Sequence, residues 1–226
     1  MSGVLTAYVD LKSPYTYLAV EPTRRLARKC GVELDWLPYT LDIPSYLGSA
    51  RVDETGQVIE QDRSPHQWRR VKYAYMDVRR YANLRGLTIR GTVKIWDTRL
   101  ASTGLLWARE QGRADAYLDA VYPPFWRRDL DAEDIAVITA KLAEAGCETD
   151  GFADWAAGDG GALHDRLRTE AEAAGVFGVP WYMWGDEVFW GREALPLISQ
   201  RITGRLPDWA ADMGLAPDDD GGRDRG

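Results

Sequence analysis

Apolar residues fall at two spacings along this chain, and the change between them marks the elements. Residues 4–10 are β-branched and aromatic and follow a glycine, which predicts a strand. Ser13-Pro14 then supplies an N-cap and a first helical residue, so a helix is expected over residues 15–29, with a kink at Pro22 and a stop at Gly31. Residues 32–37 alternate at period two and predict a second strand. A β-α-β unit of this kind defaults to a parallel pair joined by a right-handed crossover.

Residues 40–62 read as irregular, with a short strand at Val58-Ile59. A long helix follows from Ser64-Pro65 to about residue 85, ended by Gly86. Further helical patterns cover residues 100–111, 113–127, 132–145, 150–157 and 162–174, with Gly158-Asp159-Gly160-Gly161 as an interhelical turn. The pattern changes at residue 176. Residues 176–184 read as a strand, Gly185-Asp186 as a hairpin turn, residues 187–190 as a second strand, and residues 192–203 as a last helix. The chain therefore opens on β-α-β and closes on β-β-α, and neither half covers both faces of its sheet alone. Together they predict an α/β fold: a thioredoxin-like four-stranded mixed sheet with a large helical insertion. The corresponding division is residues 1–40 and 175–210 for the two halves of the sheet domain, 41–174 for the insertion, and 211–226 for a charged, glycine-rich tail expected to be disordered.

Composition narrows the function classes. Hydrophobic residues make up 45% of the 226, enough for a substantial core. The net charge is 28 − 35 = −7, a poor match to nucleic acid or to anionic lipid. Apolar runs are too short to span a bilayer, and the first residues read as a strand rather than a signal peptide. Cys30 and Cys147 are far apart and fit neither a C-x-x-C pair nor a metal site, so the expectation is two reduced thiols in a cytoplasmic protein. His66 and His164 lack ligand spacing, so no metal centre is expected. No G-x-S-x-G elbow surrounds Ser13, and the glycine run at residue 158 lacks the Lys-Ser/Thr of a phosphate loop.

Two segments carry chemistry. In a thioredoxin-like layout the first helix starts at the reactive position, where free N–H groups and the helix dipole favour an anion. Here that start reads Ser13-Pro14-Tyr15-Thr16, so the dithiol needed for disulfide exchange is absent. The Ser13 hydroxyl can donate to a thiolate brought by another molecule, or it can serve only as an N-cap. The second segment, Gly175-Val176-Phe177-Gly178-Val179-Pro180, offers a candidate cis bond before Pro180 and leaves the Val179 backbone to pair with an extended peptide.

Together, Asp10-x-x-Ser13-Pro14-Tyr15-x-Tyr17-Leu18-Ala19, the Val179-Pro180 segment and Gly185-Asp186-Glu187-x-Phe189-Trp190-Gly191 resemble the 2-hydroxychromene-2-carboxylate isomerase and kappa-class glutathione transferase family of the DsbA-like thioredoxin superfamily. The resemblance spans about residues 4–203. It implies glutathione as cofactor, with Ser13 stabilising its thiolate, Val179 and Pro180 pairing with its cysteinyl backbone, and Trp190-Gly191-Arg192-Glu193 holding its γ-glutamyl end. It also implies a tendency to form homodimers. The chain departs from the pattern at Glu193, where Asp is usual, and at Ala194, where Arg is common. It also lacks the family's Lys and Asn in the loop over residues 41–48. For a small aromatic substrate, Lys12, Arg69, Arg70 and Lys72 are the candidate cations. Tyr15 and His66 are candidate contacts, and Trp96, Trp181 and Trp184 a candidate apolar wall. A glutathione-dependent isomerase or transferase is the leading expectation. A non-catalytic thioredoxin-like peptide-binding module is the alternative, and a DsbA-like oxidase is disfavoured by Ser13 and Thr16.

Overall fold

The computed structural model describes residues 3–206 except Glu54; the expected tail at 211–226 and the end of the second sheet half lie outside these residues. Strand β1 (Val4–Val9) leads into helix α1 (Pro14–Cys30), and β2 (Glu33–Pro38) runs parallel to β1 with Val4 opposite Glu33. Strands β5 (Trp181–Trp184) and β6 (Glu187–Trp190) complete a four-stranded sheet in the order β2-β1-β5-β6. Strand β5 pairs antiparallel to β1, with Tyr8 opposite Trp181, and β6 pairs antiparallel to β5. This is the DsbA-like thioredoxin architecture that the two ends of the chain predict.

The period-two pattern of β1 explains why it is central. Leu5, Ala7 and Val9 enter the main core with Leu18 and Val20 of α1, while Tyr8 enters a second cluster with Tyr39, Val179 and Trp181. Both faces of the strand are covered, as a central strand in an α/β sheet requires. Helix α1 has the expected ends: Ser13 caps it with Pro14 at its first position, and Gly31 closes it in the left-handed conformation at φ +66°. The helix continues through Pro22.

Between β2 and β5 the chain forms α2 (Ile43–Leu47), the hairpin strands β3 (Ala50–Val52) and β4 (Val58–Gln61), and helices α3 (Pro65–Leu84), α4 (Arg99–Glu110), α5 (Ala114–Arg127), α6 (Ile135–Glu144), α7 (Phe152–Ala157) and α8 (Asp159–Ala173). A 3₁₀ turn (Arg192–Ala194) and α9 (Leu195–Thr203) end the described chain. Arg24 of α1 joins the insertion to the sheet domain: it is buried and bonds Asp115 and Asp119 of α5 at 2.7 and 2.6 Å. Trp36 of β2 donates its indole N–H to the same Asp115 carboxylate.

Three local expectations are corrected. The segment 176–184 is a strand only from Trp181, because Pro180 has no N–H to give the ladder and pairing with β1 starts beside it. Gly160 and Gly161 are helical residues of α8, and the break falls at Gly158. A Cβ on Gly160 would enter the Trp155 ring, and one on Gly161 would meet the Arg99 guanidinium at 2.8 Å, so these glycines serve helix packing rather than a turn. Residues 40–62, read as mostly irregular, fold into α2 and a hairpin. The Val58 strand pairs with Ala50–Val52, whose three residues are too few to show alternation.

One buried carboxylate ties these pieces together. Asp10, at the end of β1, is 1% exposed. It accepts from Thr98 Oγ1 ahead of α4 at 2.6 Å, from the Leu41 N–H beyond β2 at 2.7 Å, and from the Lys12 N–H at 3.2 Å, and it pairs with Lys12 Nζ at 3.7 Å. Its carbonyl accepts from the Tyr122 hydroxyl of α5 at 3.0 Å and from the Ser13 N–H at 3.1 Å. Asp10→Ala would take this acceptor from a buried ammonium, a hydroxyl and two amides. We expect it to lower the unfolding free energy by about 3–5 kcal/mol, measured by urea denaturation. A loss below about 1 kcal/mol would show that Asp10 does not hold these segments.

Candidate active site

The N-terminus of α1, the loop over residues 176–180, the 3₁₀ turn at Arg192, helix α3 and the segment before α4 enclose one cleft of about 1410 Å³. That exceeds the roughly 300–1,000 Å³ usual for one small ligand, so the cleft has room for two.

Ser13 lies at its base, 4% exposed. The hydroxyl oxygen accepts from the Thr16 N–H at 3.2 Å, the N-cap bond, and its O–H donates to the Val179 carbonyl at 3.3 Å. The bond between Val179 and Pro180 is cis, as the sequence suggested. Ser13 therefore faces the cis-proline loop directly, and its proton goes to the backbone group that an extended ligand would use. Thr16 is fully buried behind it. Neither thiol lies in the cleft: Cys30, half-buried at the end of α1, is near Ser199 of α9, and Cys147 is buried in the core.

Trp190, Gly191, Arg192 and Glu193 all line the cleft beside this loop. Gly191 is required there. Its φ is +88°, and a Cβ would lie 2.9 Å from Glu193 Oε2. Its N–H donates to the Pro180 carbonyl at 2.9 Å, which ties the turn to the cis-proline loop. The Arg192 guanidinium lies 4.1 Å from the centre of the Tyr81 ring and donates to Glu193 Oε1 at 3.3 Å. The Glu193 carboxylate is largely exposed.

Of the residues read as substrate contacts, Lys12, Tyr15, His66, Arg70 and Trp96 line the cleft, as do Arg69 and Lys72. Trp181 does not. It is the cross-strand partner of Tyr8 and of Trp190 and is buried in the second core cluster, where it packs with Tyr8, Tyr39 and Val179. Trp184 packs against the main core and is likewise absent from the wall. The wall instead uses Trp68, Tyr46 and Phe177. Phe177 lies between Trp181, which it meets edge-on, and Trp190, to which it is tilted, at centroid distances of 5.1 and 5.0 Å. The Tyr15 phenol donates to Asp77 at 3.5 Å, and burial, with the Asp77 charge next, pushes its pKa up to about 12, so it is a neutral hydroxyl at physiological pH.

Sequence reading also missed the role of Asp10, although the residue stood in the quoted motif. Nothing local marks a carboxylate at the end of a strand as buried; its donors Leu41 and Thr98 are 31 and 88 residues away. The loop over residues 41–48 contributes Leu41, Ile43, Tyr46 and Leu47, an apolar wall, in keeping with its lack of Lys and Asn. Eight Lys and Arg side chains line the cleft against one carboxylate, Glu193, in a chain whose net charge is −7. Among the described residues no helix is long and apolar enough to cross a membrane.

Comparison with known proteins agrees with this geometry. The chain is 27% identical over 205 residues to a 2-hydroxychromene-2-carboxylate isomerase of Sphingobium xenophagum, covering 89% of this chain and 99% of that protein. It is 26% identical over 215 residues to an enzyme of the same name from Pseudomonas putida, covering 93% and 98%. Among solved structures, a 2-hydroxychromene-2-carboxylate isomerase superimposes with a TM-score of 0.67 at 21% identity, over 94% of this chain and 99% of that one. The DsbA-like thioredoxin domain matches residues 4–203, nearly every described residue, and the chain belongs to that family.

Proposed function

We propose that this protein is a glutathione-dependent isomerase acting on a small conjugated aromatic compound. The observation that carries the reading is the Ser13 hydroxyl at the start of α1, hydrogen-bonded across to Val179 of the cis-proline loop, with no sulfur at either dithiol position. The curated relatives named as 2-hydroxychromene-2-carboxylate isomerases, aligned over about nine-tenths of the chain, support an isomerase over a transferase.

The geometry suggests how Ser13 would act. Its proton rests on the Val179 carbonyl through a bond of 3.3 Å, long for O–H···O. The cysteinyl N–H of an extended glutathione would donate to that carbonyl and free the Ser13 O–H to donate a hydrogen bond to the sulfur once the thiol has lost its proton to solvent. The helix N-terminus favours the same negative charge. Glutathione held there would supply a nucleophilic sulfur able to add reversibly to a conjugated carbon of the substrate and so permit bond rotation, without being consumed. The γ-glutamyl carboxylate would meet Arg192 and the ammonium Glu193.

Ser13→Ala tests this assignment. It removes the N-cap bond and should lower stability by about 1 kcal/mol. A hydrogen bond to a charged partner is worth about 1.5–3 kcal/mol, so the thiol pKa of bound glutathione should also rise by about one to two pH units. Isomerase turnover at neutral pH should fall, with little change in glutathione affinity by calorimetry. Loss of stability with an unmoved thiol titration would reduce Ser13 to a cap. No binding of glutathione by the wild type would favour the peptide-binding module instead.

The same site predicts redox inactivity. The protein should neither reduce insulin nor oxidise a reduced client peptide. Turnover in either assay that survives replacing Cys30 and Cys147 by Ser would refute this.

A further inference from the structure

Lys12 is unusual among the cleft cations. Its side chain is only 7% exposed, yet it lines the cleft one residue before Ser13. Two partners fix its ammonium: the Asp10 carboxylate at 3.7 Å and the Trp96 carbonyl at 3.2 Å. An ammonium has three N–H donors, so one remains for a ligand. Both partners are themselves held. Asp10 accepts three further hydrogen bonds, and Trp96 packs edge-on against Phe125 at 6.1 Å, with the Lys94 ammonium 4.3 Å from its ring centre. The Lys12 head group is thus positioned before any ligand arrives, whereas Arg69, Arg70 and Lys72 are exposed on α3. The neighbouring lining residues Leu41, Ile43 and Leu47 carry no charge.

We propose that Lys12 is the anion anchor of the cleft, taking the carboxylate of an aromatic acid while Trp96 and the apolar loop after β2 flank its ring. This deepens the proposed function and rests on its reading of the cleft as an acceptor site. It moves the substrate cation from the loop after β2, where the resemblance expects a Lys, to the residue beside the Ser13 cap. A buried, preorganised ammonium loses little freedom on binding and sits where water screens it weakly, so it discriminates acid from neutral analogue more sharply than a rim arginine does.

The test uses the full chain without glutathione, so it does not depend on the cofactor. Naphthoate and its methyl ester are titrated by calorimetry into the wild type, Lys12→Gln and Lys12→Met, which both keep the Asp10 carboxylate and its three other donors. The wild type should prefer the acid. Both variants should weaken naphthoate binding about 10- to 100-fold, the range of one charge-assisted hydrogen bond, and leave the ester unchanged. Arg70→Gln should change either ligand less than about threefold. Equal weakening of acid and ester, an unchanged acid affinity, or a wild type that does not distinguish the two would each overturn the assignment. Glutathione titrated separately into the wild type decides the proposed function on its own, since a protein can anchor the acid through Lys12 and still fail to bind glutathione.

Discussion

The buried carboxylate of Asp10 is the constraint on which the rest of the site depends. A charge removed from water needs donors from every side, and here they come from the α1 loop, the residue beyond β2 and the residue ahead of α4. Satisfying that one group fixes where the two sheet strands end, where α4 begins and how the insertion meets the sheet. The Asp10 carbonyl extends the same role by taking the Ser13 N–H and the Tyr122 hydroxyl. Ser13 therefore sits on a support that already spans both parts of the molecule, and its hydroxyl reaches Val179 because that support does not move independently.

The parts of the fold readable from sequence were those decided locally. Strand β1 is rich in β-branched and aromatic residues, β2 alternates, Ser13-Pro14 caps, Gly31 stops, and Gly185-Asp186 turns between β5 and β6. Each signal lies within a few residues of its effect, so pattern and outcome agree. The corrected parts were decided by distant partners. Gly160 reads as a turn residue until the Trp155 ring is known to lie against it. Residues 176–180 look like strand by composition, but a strand exists only where a neighbour can pair, and Pro180 stands at the edge of that pairing with β1.

The site divides in the same way. Ser13, Val179, Pro180 and the residues 190–193 were found because short motifs carry them, and the fold brings all of them to one cleft. Trp181 was misassigned because both faces of β5 are covered at its start, Trp181 by the cluster around Tyr8 and Tyr182 by the main core, and that cover comes from distant segments. The wall residues Trp68, Tyr46 and Phe177 come from three separate segments with no shared motif. Only the packing of α3 over the loop after β2 brings them together.

The charge of the cleft depends on how its cations are held. Four of them lie near aromatic rings: Arg63 at Trp68, Arg79 at Tyr75, Lys94 at Trp96 and Arg192 at Tyr81, at 5.0, 5.4, 4.3 and 4.1 Å from the ring centres. Arg63 and Arg79 also donate to the Gly48 and Ile89 carbonyls. Ring faces and carbonyls orient Arg63 and Arg79 without cancelling their charge, whereas a carboxylate partner offsets part of it, as Glu133 does for Lys94 at 2.6 Å and Glu193 for Arg192 at 3.3 Å. An acidic chain can in this way keep a positive interior surface, since carboxylates outside the cleft pair with arginines there, as Asp35 does with Arg109 and Asp165 with Arg99. Low-dielectric walls then focus the remaining field into the cleft. An anionic ligand would be drawn to this cleft, where aromatic surface and unneutralised charge coincide, and neutral compounds of the same shape would gain only the aromatic contact.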